Sequence, residues 1–120
     1  MEAKELRIGN CIDFNGMLCV IEEIDGQGVV VDIAESQENE WIDLFQFTPI
    51  HLTEEWLVKL GFEKSDSLSN CTKTTNGYKF DFAGGEVLYL DSVRLKHIKY
   101  VHQLQNLYFA LTGEELTIKS

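Results

Sequence analysis

Hydrophobic and polar residues alternate over most of this chain, and in two places the spacing changes to that of a helix. The longer helical pattern covers residues 98–113, where apolar side chains recur every three or four positions and share one stripe. Gly113 is suited to the left-handed turn that ends a helix. Because an isolated helix of this length is marginal in water, we expect the stripe to dock on the preceding strands.

A shorter helix is predicted over residues 52–62, and the sequence marks both of its ends. Thr53 is a good N-cap, and the two glutamates that follow it suit the positive end of the helix dipole. Gly61 can adopt the left-handed conformation at the other end, where Phe62 can fold back on Leu57. The helix is therefore well specified despite its length.

Strand patterns joined by turns fill the first 48 residues. Asn15-Gly16, between two β-rich flanks, is a strong hairpin signal. Strands are predicted at residues 11–14, 17–24, 29–33 and 40–47. The last of them should place Phe45 and Phe47 on one face. Short strands joined by tight turns predict a small curved sheet or SH3-like barrel.

The hairpin register also bears on the three cysteines. It pairs Ile12 with Cys19, so Cys11 and Cys19 lie on opposite faces and are not expected to form a disulfide. The count is odd, and no two cysteines have the spacing of a metal site. We interpret Cys11, Cys19 and Cys71 as small hydrophobic residues that are at least partly buried.

The only proline, Pro49, marks a predicted boundary between a lobe of residues 1–48 and a lobe of residues 49–120. Strands of the second lobe are predicted at residues 71–74, 78–82 and 86–90. The predicted fold class is therefore α+β. It consists of an N-terminal SH3-like β-lobe, a short helix, a small antiparallel sheet and a long C-terminal helix, as two lobes or with one shared core.

The net charge of −10 is unevenly distributed. Between Ile8 and Val58 there are eleven acidic residues and no lysine or arginine, whereas basic and acidic residues are nearly balanced from Lys59 onward. This acidic half is either a solvated surface that aids solubility or a surface that attracts a basic partner by its field. Salt-sensitive binding to a basic protein would favour the second interpretation.

No apolar run approaches the roughly 20 residues that cross a bilayer, and the first residues lack the apolar segment of a signal peptide. We therefore expect a cytoplasmic protein with no membrane partner.

Residues able to carry catalysis do not form a recognised motif. His97 and His102 are five positions apart, about 140° around a helix, so they cannot bind one metal as an i, i+4 pair does. The sequence contains no phosphate-binding loop, zinc-protease motif or nucleophile motif. We expect no enzymatic activity, no cofactor and no metal site.

The back of the last helix is one candidate binding site. With the apolar stripe pointed inward, the opposite side carries His102, Gln105, Asn106 and Phe109, and Phe109 is a large aromatic where a polar residue is expected. Either the helix is packed on both sides or this side binds a partner. A homodimer would satisfy both interpretations.

A basic cluster is the other candidate. Arg94, Lys96 and Lys99, with Tyr100 next to them, could hold a phosphate backbone at the start of the last helix. The chain as a whole is acidic and carries no known nucleic-acid-binding signature, so this interpretation is the alternative to protein binding.

The chain resembles an uncharacterised family of small bacterial proteins carried by prophages and mobile elements. The resemblance rests on Leu-Arg-Ile-Gly-Asn at residues 6–10, Pro-Ile-His-Leu-Thr-Glu-Glu-Trp-Leu-Val-Lys-Leu-Gly-Phe at 49–62, and Tyr-Val-His-Gln-Leu-Gln-Asn-Leu-Tyr-Phe-Ala-Leu-Thr-Gly-Glu-Glu-Leu at 100–116. It implies a context rich in small accessory proteins and no established activity. The expected function is a protein-interaction or adaptor module.

Overall fold

The structure is a computed structural model that describes residues 5–36, 38–64, 70–84 and 86–118. Within these ranges the protein is α+β, with two antiparallel sheets, two helices and more strand than helix. The predicted fold class is confirmed at this level.

The first sheet is an antiparallel meander in the order β1-β2-β3-β4. Its strands are β1 (Cys11–Phe14), β2 (Met17–Ile24), β3 (Gly28–Ile33) and β4 (Glu38–Asp43). Asn15 and Gly16 have φ of 52° and 81°, as a two-residue hairpin turn requires. The register pairs Ile12 with Cys19, as predicted. All three cysteines are buried and free, which confirms that they act as small hydrophobic residues.

The core of this sheet is formed by one face of the strands together with apolar residues of the flanking loops. Its buried members are Leu6, Ile12, Cys19, Ile21, Val29, Val31, Ile33, Ile42, Leu44 and Phe47. A bulge between Ile21 and Glu23 of β2 bends the sheet. A single bridge between Asp13 and Thr48 returns the chain to β1, but the described strands form no continuous ladder that closes a barrel.

β4 ends at Asp43, four residues earlier than predicted. The Asp43 carboxylate accepts the Phe45 N–H at 3.0 Å, and the Asp43 carbonyl accepts the Gln46 N–H at 3.0 Å. These local hydrogen bonds replace the ladder with a turn. The prediction that Phe45 and Phe47 share one face is wrong, because Phe45 is exposed at this turn while Phe47 is buried.

The second sheet has the order β5-β6-β7-β8-β9. Its strands are β5 (Glu63–Lys64), β6 (Asn70–Thr75), β7 (Tyr78–Ala83), β8 (Val87–Leu90) and β9 (Val93–Leu95). β9 was not predicted, because its hairpin turn contains no glycine. Asp91 and Ser92 take positive φ instead, and the Asp91 carboxylate accepts the Lys79 N–H at 2.8 Å. In the core of this part, the Phe80 ring packs on Phe62 and Tyr108.

Helix α1 (Glu54–Lys59) has both predicted caps. The Thr53 hydroxyl accepts the Trp56 N–H at 3.2 Å. At the other end Gly61 has φ of 93°, its N–H donates to the Val58 carbonyl, and the Phe62 N–H donates to the Leu57 carbonyl. This pair of hydrogen bonds defines a Schellman motif.

Helix α2 (Val101–Thr112) begins three residues later than predicted. The Tyr100 N–H is held by the Gln103 side chain, and the Val101 N–H donates to the Ile50 carbonyl, so the first turn is capped at this point. Gly113, with φ of 74°, ends the helix as expected. Neither described helix is long and apolar enough to cross a bilayer.

The chain divides into two compact units. The first contains residues 1–50 and 100–106, and the second contains residues 51–99 and 107–120. The first half of α2 thus belongs to one unit and its second half to the other. The sequence-based division into residues 1–48 and 49–120 stays a prediction.

We predict that Thr53→Ala lowers the free energy of unfolding by about 1 kcal/mol, because the Trp56 N–H loses its cap. Chemical denaturation followed by circular dichroism would measure the change. Thr117→Ala, at an exposed position, is the matched control and should have little effect. Equal stability of the two variants would show that the cap contributes nothing.

Candidate functional site

Gln105 of α2 is buried, with only 1% of its surface exposed, and it binds the backbone that leads into β1. Its side-chain oxygen accepts the Cys11 N–H at 2.9 Å, and its side-chain nitrogen donates to the Gly9 carbonyl at 3.1 Å. A glutamine at this position therefore pairs a donor and an acceptor that the sheet leaves unpaired. The sequence pattern places this residue on the side opposite the apolar stripe.

Asn106 extends the same network toward the N-terminus. It donates to the Glu5 carbonyl at 2.9 Å and accepts from the Asn10 side chain at 2.8 Å and from the Arg7 guanidinium at 3.4 Å. Asn10, itself fully buried, also accepts the Arg7 N–H at 2.7 Å. Asn10, Gln105 and Asn106, which we call the amide cluster, fasten residues 5–11 to the first half of α2.

His102 is also buried, with 2% of its surface exposed. Its ring stacks on Tyr100 at a centroid distance of 5.9 Å, and its Nδ1 atom has no hydrogen-bond partner among the described residues. Burial lowers the pKa of His102 below the ordinary value of 6.5, and the nearby Glu5 carboxylate opposes this shift in part. Burial therefore favours the neutral form of the imidazole.

The structure does not place the four candidate residues of α2 on one accessible face. His102 and Gln105 are covered within the first unit, Asn106 is half-buried, and Phe109, with 38% of its surface exposed, belongs to the second unit. Of the two interpretations, the burial of His102 and Gln105 agrees with a helix that is packed on both sides, and Gln105 points inward because it pairs with buried backbone groups. That these residues bind a partner stays a prediction.

The structure brings three of the four residues of the basic cluster together. A cleft of about 280 Å³ in the second unit is lined by Arg94, Lys96 and Lys99, and Glu86 lines it as well. Tyr100 is not among its lining residues and belongs to the first unit, where it stacks on His102. Three of the four residues of the nucleic-acid alternative therefore share one concave surface.

The geometry also describes the environments of the cysteines and of the possible metal ligands. Burial raises the pKa of Cys11 to about 11 and also raises the pKa values of Cys19 and Cys71, so the reactive thiolate forms are disfavoured. Across the described ranges no three His, Cys, Asp or Glu side chains are grouped as metal ligands would be.

A surface that the sequence analysis did not single out lies along β4. We call it the β4 edge surface, and it consists of Glu38, Asn39, Glu40, Trp41 and Phe45. Trp41 is 49% exposed although it sits within a strand, and Phe45 is 91% exposed at the turn that follows. Large aromatic side chains rarely have so much of their surface exposed to solvent, so the β4 edge surface is a candidate binding site.

Trp41 is held in place from two sides. Its indole N–H donates to the Asp25 carboxylate at 3.2 Å. That carboxylate also accepts the N–H groups of Gln27 and Gly28, and these hydrogen bonds lower the pKa of Asp25, which stays ionised. The indole lies directly over Gly28, where a Cβ atom would come within 2.6 Å of the ring. The ring is therefore held by one hydrogen bond and by its contact with Gly28.

Comparison with known proteins gives no further lead. No family model, curated protein or solved structure matches this chain. The resemblance to prophage-carried proteins accordingly stays an expectation, and the function has to be inferred from the surfaces described above.

We predict that Gln105→Leu destabilises the first unit by about 2–4 kcal/mol, because the Cys11 N–H and the Gly9 carbonyl are both left buried without partners. Urea denaturation would measure the loss. Gln27→Leu, at an exposed position, is the matched control and should change stability little. A Gln105→Leu protein as stable as this control would show that the amide cluster does not fasten the N-terminal segment.

The lowered pKa of His102 predicts a pH dependence of stability. The unfolded chain binds the proton more readily than the folded one, so the contribution of His102 is fully present above pH 6.5 and is lost as the pH falls below that value toward the folded-state pKa. We expect His102→Phe to lose less stability than the wild type between pH 7.5 and pH 5.5 in urea titrations. His97→Phe, at an exposed position, should keep the wild-type dependence. Identical pH profiles for all three proteins would contradict the assignment.

Proposed function

We propose that the protein is a non-enzymatic interaction module that binds a positively charged protein partner through the β4 edge surface. The observation that carries this proposal is the exposure of Trp41 and Phe45, two aromatic residues four positions apart, at the border of an acidic sheet. Tryptophan and other aromatic anchors contribute much of the energy of protein interfaces.

The fixed position of Trp41 supports the proposal. A side chain that is already ordered loses little conformational entropy when a partner packs on it, so more of the contact energy appears as affinity. The hydrogen bond from Trp41 to Asp25 and the contact with Gly28 provide this order before binding. Phe45 is presented by a turn whose backbone the Asp43 carboxylate holds.

Charge selects the class of partner. Glu38 and Glu40 are exposed on β4, and the first half of the chain contains no lysine or arginine from Ile8 to Val58 to offset them. A basic partner would be attracted by this field and an acidic one repelled. A merely solvated surface would explain the acidic residues but not the exposure of the Trp41 and Phe45 rings.

The finer description of the first unit is part of the same proposal. Its four-stranded meander, its core on one face of the sheet and the bridge from Asp13 to Thr48 support an SH3-like lobe. Three free cysteines are compatible with the reducing cytoplasm, where we place the protein as an accessory factor of a prophage or mobile element. Self-association in a homodimer is the other form that protein binding could take.

Nucleic-acid binding is the second candidate, and the cleft lined by Arg94, Lys96 and Lys99 favours it. Three cations on one concave surface could contact successive phosphates. Against it, Glu86 lies on the same cleft and the chain carries ten more negative than positive charges.

We predict that tagged wild-type protein captures a basic protein from cell extract, and that the captured protein survives nuclease treatment. Trp41→Ala combined with Phe45→Ser should reduce capture at least about tenfold, as the loss of interface anchors does. Val93→Ser, at another exposed apolar residue, is the matched control and should leave capture unchanged. A photo-crosslinking residue at position 45 should link the same protein, and raised salt should weaken capture.

Two results would contradict the proposal. If the aromatic double variant captures the partner as well as wild type, the β4 edge surface is not the interface. If nuclease removes the captured material and neutralising Arg94, Lys96 and Lys99 abolishes binding, the protein acts on nucleic acid through the basic cleft.

A further inference from the structure

β4 is the last strand of the first sheet and has one free side. Within the described residues it pairs with β3, and the sheet order β1-β2-β3-β4 leaves its other side without a neighbouring strand. An edge strand presents a row of backbone donors and acceptors that can pair with an added strand. Which residues present them follows from the register.

The hydrogen-bond pattern of an antiparallel pair alternates along the strand. The Leu44 N–H donates to the Gln27 carbonyl, so this position is turned toward β3. Going back by two residues at a time, the backbone groups of residues 38, 40 and 42 are also turned toward β3. The groups of Asn39, Trp41 and Asp43 therefore point to the free side.

The backbone N–H and carbonyl of Asp43 already have hydrogen-bond partners. Its N–H donates to the Gln46 side-chain oxygen at 3.0 Å, and its carbonyl accepts the Gln46 N–H at 3.0 Å. The turn thus caps one end of the edge, and no other strand of the described sheet pairs with the outward backbone groups of Asn39 and Trp41. This open stretch is short, so a strand that pairs with it needs additional side-chain contacts.

The side chains beside the open stretch are acidic on one face of the sheet. Glu38 and Glu40 pair in register with Ile33 and Val31, whose side chains are buried in the core, yet both glutamates are exposed at the edge. Charges pointed inward at a sheet edge discourage pairing between two copies, since the like charges would oppose each other. An added strand with cationic side chains at alternate positions would instead be attracted by the carboxylates of Glu38 and Glu40.

The other face of the open stretch is aromatic. Trp41 pairs in register with Val30, and its ring covers Gly28. A strand added beside β4 would place the residues between its cations on this face, next to the indole. Apolar side chains there would be shielded from water by Trp41.

Resting on the proposed function, we infer that the basic partner contributes an extended segment with cationic and apolar residues in alternation, and that this segment adds as a strand to the free edge of β4. Backbone hydrogen bonds to Asn39 and Trp41 set its position. Glu38 and Glu40 select its cations, and Trp41 receives its apolar residues.

The test uses the full chain and two peptides of one sequence, Lys-Val repeated three times with blocked ends. The first peptide has an ordinary backbone, and the second is N-methylated at every residue, which keeps the charges and removes the donors. We expect calorimetry to show binding of the first peptide and binding at least about tenfold weaker for the second. Hydrogen exchange at the amides of Asn39 and Trp41 should slow when the first peptide is added.

Variants test the selection by charge. Glu38→Lys combined with Glu40→Lys should abolish binding of the Lys-Val peptide and should permit binding of a Glu-Val peptide of the same length. Glu63→Lys combined with Glu86→Lys makes the same change in net charge at exposed sites of the second unit and should retain the original preference. If both double variants lose binding equally, the selection is due to overall charge and the inference fails.

The outcomes separate this inference from the proposed function. Equal binding of the two peptides would overturn strand addition while leaving a basic interaction module in place. If neither peptide binds but the protein still captures a partner from extract through Trp41 and Phe45, the inference of a basic added strand is overturned and the proposed function remains. Failure of both peptides and of that capture would overturn the inference and the proposed function together.

Discussion

Backbone donors and acceptors at the ends of strands and helices lack partners within their own element, and in this protein side chains pair several of them. Gln105 pairs the Cys11 N–H and the Gly9 carbonyl beside β1, Thr53 pairs an N–H at the start of α1, and Asp43 pairs the Phe45 N–H where β4 stops. Each of these side chains fixes where the neighbouring element begins or ends. The free edge of β4 is the contrasting case, because the outward groups of Asn39 and Trp41 lie beside no other strand in the described sheet.

This constraint also explains how far the sequence predicts the fold. The hairpin at Asn15 and Gly16, its register and both caps of α1 were predicted correctly, because each depends on residues close together in the chain. The predicted end of β4 was wrong, because Asp43 can either continue a strand or hold a turn. The alternating pattern does not distinguish these two structures. β9 was missed because Asp91 and Ser92 adopt positive φ without a glycine to signal it.

The candidate sites were predicted less well than the fold, for a related reason. A polar residue on the back of a helix gives no local sign of its partner, and Gln105 and Asn106 pair with groups about a hundred residues away in sequence. No local pattern contains that information. The exposure of Trp41 was equally hidden, because alternation assigns a residue to a face of a sheet without saying whether anything covers that face.

Gly28 and Trp41 touch, yet they are constrained to different degrees. A side chain at position 28 would meet the Ile42 carbonyl oxygen at 2.5 Å as well as the indole, so the backbone itself requires glycine there whatever occupies position 41. Position 41 carries no comparable backbone requirement. A side chain at position 28 is therefore excluded by the fold itself, whereas a change at position 41 meets no backbone obstacle and would remove the hydrogen bond to Asp25 together with the proposed contact to a partner.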